Sequence, residues 1–343
     1  MRSPRSLRLA AAAAVLLGVA AQLAPVGVPA QVKLQKMRFV RSIPPDLSAV
    51  YFYVAQDKGY FREYGLDAEM VTAQGTGAAL TQLVGGNAEI ANTSAEAMLN
   101  AIGQGQPMVA FWQFLQNGAI FGVLARRDRG VDGIEDLKGK TIGILGPASA
   151  TRYATVQMLA KVGLKESDVN MVTLPGMAAY GPALARGQVD ALGAWDVSRE
   201  VVMGAGDDNF RKQLVYFPAS EYLSDIFATS KKYFDGNKDA IASFMAAIVK
   251  SMDDIGKNPA EAIQIAAKYV PSVSSADPAV NAKIIELRNQ KWVKDGRFIY
   301  AEYERALPAY REMGLITIDP KTISLREVFS NEVPDLVQKK RGR

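Results

Sequence analysis

The sequence predicts an α/β protein of two similar lobes, each a mostly parallel sheet flanked by helices. Two observations carry this. Short apolar runs alternate with helical patterns, as strands joined by crossover helices require. The alternation then starts again. Gly75-Thr76-Gly77-Ala78-Ala79-Leu80-Thr81-Gln82-Leu83-Val84-Gly85-Gly86 aligns with Gly176-Met177-Ala178-Ala179-Tyr180-Gly181-Pro182-Ala183-Leu184-Ala185-Arg186-Gly187 at an offset of 176 − 75 = 101. Gly75 meets Gly176, Ala78 meets Ala179, Leu83 meets Leu184 and Gly86 meets Gly187, while Glu89 meets Asp190 in kind. Each unit reads strand, Gly turn, helix, Gly, acid, short strand.

The elements follow in order. Met37 to Ile43 reads as a strand, broken by Pro44-Pro45-Asp46, where Asp46 can cap a helix over Leu47 to Lys58 that stops at Gly59. Leu66 to Thr72 is a second strand, and Gly75-Thr76-Gly77 opens a helix through Val84. Ala88 to Ala91 is a third strand, and Ser94 caps the next helix. The aromatic and β-branched runs Met108 to Phe114 and Ile120 to Ala125 read as strands. The second round has strands at Lys140 to Leu145, Val169 to Leu174 and Val189 to Leu192, with helices over Ala150 to Val162 and Ala178 to Arg186. The distal part is helical: Ile241, Phe244, Met245, Ile248, Met252 and Ile255 share one face of a helix over Asp239 to Ile255, followed by helices over Pro259 to Tyr269 and Ala279 to Lys291.

The first residues read as a leader. Arg2, Arg5 and Arg8 precede an uncharged apolar stretch, Leu9 to Ala24, and Val28-Pro29-Ala30 has the small residues of a cleavage site. A secretory signal peptide over residues 1–30, cut after Ala30, is expected. Its loss removes three Arg and no acid, taking the formal net charge from +5 to +2. No nucleic-acid surface is indicated by so small an excess. The chain has no Cys and no His. That excludes disulfides, thiolate nucleophiles, imidazole metal ligands and Ser-His-Asp chemistry. A binding protein without catalytic residues, cofactor or metal is therefore expected. An enzyme would have to work with carboxylates such as Asp46, Asp196 or Glu200.

In open sheets, ligands bind beyond the carboxyl ends of the parallel strands. Here those ends turn small and polar: Ser42 to Ser48, Gln74-Gly75-Thr76-Gly77, Asn92-Thr93-Ser94 and Pro147-Ala148-Ser149-Ala150-Thr151. Each leads into a helix start, where unpaired N–H groups carry partial positive charge. These turns leave room for a polar head group such as an oxyanion, although ordinary capping by Ser and Thr would use the same residues. Gly75-Thr76-Gly77 is no phosphate loop, because it lacks the GxxxxGK[ST] pattern. Trp195, which the offset pairs with Ser94, and Tyr180 are candidate aromatic walls, with Trp112, Phe114 and Phe121 as further choices. Asp196 can bind an amino group or cap its helix, and Arg152 can pair with an anion.

Several of these stretches resemble one family. Gly59-Tyr60-Phe61-Arg62-Glu63-Tyr64-Gly65-Leu66, Asp136-Leu137-Lys138-Gly139-Lys140, Gly187-Gln188-Val189-Asp190-Ala191, Trp195-Asp196 and Asn258-Pro259-Ala260-Glu261 are similar to the sulfonate, nitrate and thiamine-precursor (SsuA/NMT1/THI5-like) substrate-binding proteins of bacterial ABC importers. The resemblance implies a type II periplasmic binding fold with a two-stranded hinge, with lobe 1 at residues 31–121 plus 223–343 and lobe 2 at 122–222. It implies a periplasmic, monomeric protein that closes on a small-molecule ligand and delivers it to an ABC permease with its ATPase. The ligand would be a small organic anion, sulfonate- or carboxylate-like, or alternatively an aminopyrimidine. Ser42, Gly75, Thr76, Ser94, Ser149, Thr151 and Trp195 would contact it by family position, with Tyr180 and Asp196 added from the residues themselves. Relatives that bind nitrate or bicarbonate, or that make pyrimidine, use His, and this chain has none.

Overall fold

The computed structural model describes residues 33–115, 120–219 and 225–342. The expected leader, 1–30, lies outside them, as do parts of both crossings between the two halves of the chain.

Ten strands form two sheets. β1 (Gln35–Arg41), β2 (Leu66–Thr72), β3 (Ile90–Thr93), β4 (Met108–Gln113) and the late β10 (Ile226–Ser230) make the first. The second holds β5 (Phe121–Arg126), β6 (Thr141–Ile144), β7 (Asn170–Thr173), β8 (Ala191–Trp195) and β9 (Leu214–Pro218). Their orders are β2-β1-β3-β10-β4 and β7-β6-β8-β5-β9. The two orders share one plan. β1, β2 and β3 correspond to β6, β7 and β8, and the fourth place in each sheet goes to a strand that arrives from the other half.

The expectation of mostly parallel sheets holds: four of the five described strands in each sheet run the same way, and the exchanged strand runs against them. β1 pairs in parallel with β2 and β3, but β10 is antiparallel to both β3 and β4. Likewise β6 is parallel to β7 and β8, while β5 is antiparallel to β8 and β9. A crossover helix forces parallel pairing; strands entering from the other sheet have no such helix and run against their neighbours. Phe121, numbered with the first lobe at the sequence level, pairs with Trp195 in the second sheet.

The internal repeat is physical. Gly75 (φ 96°) and Gly176 (φ 85°) each precede a helix, Thr76–Val84 and Met177–Ala185, at a φ that only glycine adopts freely. Glu89 accepts from the Arg38 amide of β1 at 2.6 Å, and Asp190 from the Thr141 amide of β6 at 2.9 Å. The paired acid thus ties each loop to the first strand of its own sheet.

The first core forms where Phe39 of β1 meets Phe52, Phe227 and Phe244, with ring centroids 5.3–5.8 Å apart. Phe244 belongs to the long helix Lys231–Lys257, which begins earlier than expected because Ser230 caps it and the chain passes through a kink at Asn237 (φ −137°). Strands β9 and β10 and the helices Asp196–Ala205, Tyr300–Glu312 and Glu332–Lys340 are additions to the sequence reading.

Candidate functional site

The polar strand ends of the two sheets meet. From the first sheet, the Ser42 hydroxyl donates to Asn92 Oδ1 at 3.0 Å, and the Gly75 amide donates to the Ser42 carbonyl at 2.7 Å. From the second, the Ser149 and Thr151 hydroxyls are 2.9 Å apart. Ser42, Gly75, Thr76 and Thr151, together with Phe121 and Asp225, surround a small enclosed cavity of about 10 Å³. That is close to the space of one water, so the turns from the two sheets lie close together around it. A depression of about 1100 Å³ lies elsewhere, beside β2 and the stacked rings of Tyr53 and Tyr269. It touches the strand-end turns at Pro45 and Thr72, but its charged lining is exposed or half-buried and brings no comparable set of buried polar groups together.

Bonds cross directly between the halves. The Ala148 carbonyl accepts from Gly77 N at 2.8 Å and from Thr76 Oγ1 at 2.9 Å. Trp195 Nε1 donates to Asp46 Oδ2 at 3.3 Å. Arg288, on the helix Pro278–Lys291, holds Asp196 Oδ1 at 2.5 Å with both side chains almost fully buried.

Most of the expected hydroxyls are engaged locally. Ser94 accepts from Ala97 N and Ser149 from Arg152 N, each as an N-cap. Ser149 also donates to the Gly146 carbonyl at 2.6 Å, Thr151 Oγ1 accepts from Leu145 N at 3.0 Å, and Thr76 Oγ1 donates to Ala148. Tyr180 and Trp195 are fully buried and meet edge to face, centroids 5.4 Å apart. Asp196 faces Arg288 rather than the cavity and accepts from its own helix at Val197 N. Arg152 is paired with Glu166 at 2.6 Å. Trp112 is buried under Gly296, and Phe114 packs on Tyr51 and Phe227.

Sequence reasoning missed the charged floor of the site. Arg41 shares the core-facing side of β1 with Met37 and Phe39, yet is 2% exposed. Its guanidinium meets Asp46 Oδ1 at 2.7 Å, the Pro44 carbonyl at 2.8 Å and Ser48 Oγ. Asp225, immediately before β10, is also buried. Burial pushes its carboxyl up to about 6, against the opposing pull of Arg288 and Arg41, while Asp196 adds to the rise. Burial likewise raises the Asp196 carboxyl, with Arg288 opposing. Two guanidinium groups thus face three carboxyls. A charge inside an apolar strand run was the available signal for Arg41; Asp225 sits in no motif and had none.

A family model described as NMT1/THI5 like matches residues 48–262. A curated relative, the riboflavin-binding protein RibY of Chloroflexus aurantiacus, is 24% identical over 328 residues, covering 90% of each chain. A solved protein from Bordetella bronchiseptica RB50 superposes with a TM-score of 0.75 at 23% identity, over 91% of this chain and 99% of that one. The alkanesulfonate-binding protein SsuA from Xanthomonas axonopodis pv. citri, solved with MOPS, gives 0.67 at 17% identity, over 83% and 96%. The two-sheet architecture is that of these two solved proteins.

Proposed function

Because the chain belongs to the NMT1/THI5-like family, we propose that it is the solute-binding component of a bacterial ABC importer, closing its two halves on a small organic solute. The observation that carries this is the meeting of strand-end turns from both sheets around one enclosed point. Contacts made only in the closed form stabilise closure. The first half is residues 31–120 plus 223–343 and the second 121–222, one residue from the sequence-based bound because Phe121 pairs with Trp195. The protein works as a monomer in the periplasm, exported by its leader, and presents the closed form to a permease and its ATPase. It performs no chemistry on the solute. Among the described residues no group of three or more His, Asp or Glu side chains is placed to hold a metal.

Two solute classes fit different parts of the site. An organic sulfonate or carboxylate fits the helix starts at Thr76 and Ala150; the solved sulfonate binder of like fold is consistent with it. An amino-substituted ring such as an aminopyrimidine fits the acidic floor and the Tyr180–Trp195 wall. The second is favoured, because the hydroxyls that an anion would use already serve as caps or cross-links. The test is X-ray scattering with a thermal-shift panel of both classes. A bound solute should shrink the radius of gyration and raise the melting temperature. Coincident scattering with every solute that stabilises the protein would end the capture reading.

A further inference from the structure

We propose that Asp225 is the specificity-determining residue of the cleft, accepting an N–H group (amino or ammonium) from the head of the solute. The assignment rests on the solute-capture reading above and narrows its ligand.

Asp225 lines the same enclosed cavity as Ser42, Thr76, Thr151 and Phe121. It reaches that point from the segment entering β10, between the two sheets, so it faces turns of both. The guanidinium groups that pull on it most among the described residues, Arg288 and Arg41, are engaged elsewhere. Arg41 is held by Asp46 at 2.7 Å and Arg288 by Asp196 at 2.5 Å, each in a buried pair. The third carboxyl is therefore surplus to the structural ion pairs. Beside it, the Asn92 amide nitrogen pulls the Asp225 carboxyl down yet makes no hydrogen bond of good geometry among the described residues, and Asn92 Oδ1 is taken by Ser42. A carboxylate next to an amide donor is a matched acceptor–donor pair for the amino and ring-nitrogen edge of a small heterocycle. A sulfonate placed there would meet like charge.

A buried carboxylate left without a donor is costly, whereas one that receives an N–H gains a charge-assisted bond. Sites built on such a bond reject the analogue lacking the donor far more strongly than apolar pockets reject a missing methylene. The solute's amino group thus sets selectivity, and the apolar walls set fit.

The experiment is calorimetry at pH 7.5 on the full mature chain, wild type and Asp225→Asn, with Asp225→Ala as a second variant. The probes are 4-aminopyrimidine, 4-methylpyrimidine and ethanesulfonate. Wild type should prefer the amino over the methyl ring by about tenfold or more. Both variants should lose that preference, to within about threefold, while melting at or above the wild-type temperature. A merely structural Asp225 would weaken all probes together, which overturns the assignment, as does a preference that survives in both variants. Binding of ethanesulfonate with no binding of the amino ring overturns the Asp225 assignment and leaves solute capture standing. If neither class binds and neither compacts the protein, both readings fall.

Discussion

The buried charges carry the sharpest consequences at the scale of single residues. Burial pushes the Asp225 carboxyl of the folded protein up to about 6, above the ordinary aspartate range of about 4. The folded state therefore holds this proton more tightly than the unfolded chain. The resulting destabilisation is absent below about pH 4, grows between about pH 4 and 6, and is constant above. Asp225→Asn should accordingly be more stable than wild type at pH 7.5, by on the order of 3 kcal/mol, with the gap closing toward pH 4. Urea unfolding at several pH values measures it, and a gap independent of pH would refute the assignment of the titration to Asp225. Arg288 behaves differently. Its pair with Asp196 is buried on both sides. Arg288→Met leaves Asp196 uncompensated and should cost about 3–5 kcal/mol, while Arg288→Met with Asp196→Leu should recover most of the loss. The charges at Arg41 and Asp46 were visible in the sequence, but their burial was not, because burial depends on what packs over the strand end from distant parts of the chain.

At the scale of elements, the start of the helix Thr76–Val84 has a role other than the one its sequence advertised. Its first free donors, Thr76 Oγ1 and Gly77 N, both point at the Ala148 carbonyl in the turn after β6. A Cβ on Gly77 would sit 2.6 Å from Ala148 Cβ, so this approach requires glycine. Gly77→Ala separates two effects. Alanine favours the helix by up to about 1 kcal/mol, yet it blocks the contact between halves. The variant should unfold no earlier than wild type, bind solute at least about tenfold more weakly, and keep a larger radius of gyration at saturation. Unchanged scattering and affinity would show that the contact does not control closure. The paired glycines Gly75 and Gly176, by contrast, were legible directly: both adopt positive φ at the same place in the repeat, where a side chain would strain the backbone.

Across the whole molecule, the repeat and the alternation of strands and helices were enough to define two α/β halves. Eight of the strands were expected from apolar runs, and their corresponding positions at an offset of 101 carry matched roles, as Glu89 and Asp190 show. The return of the chain to the first half near residue 223 was implied by the family resemblance, but the strand β10 itself and its place inside the sheet were not expected. β9 and β10 are short, and nothing local distinguishes a strand that returns to a sheet left a hundred residues earlier. That exchange is what makes the sheets mixed and places Asp225 between them.

The sequence by itself determined the α/β class, the duplication, the polar turns and the absence of imidazole and thiol chemistry, because these follow from residue identity and short-range periodicity. Only the tertiary structure decided which polar groups have partners to spare. The Ser and Thr hydroxyls are held by their own turns, by Asn92 or by the Ala148 carbonyl across the cleft, Asp196 is paired with Arg288, and Asp225 remains facing the cavity. Whether a polar atom is available to a solute depends on every neighbour that packing brings to it, and packing joins residues that no local pattern connects.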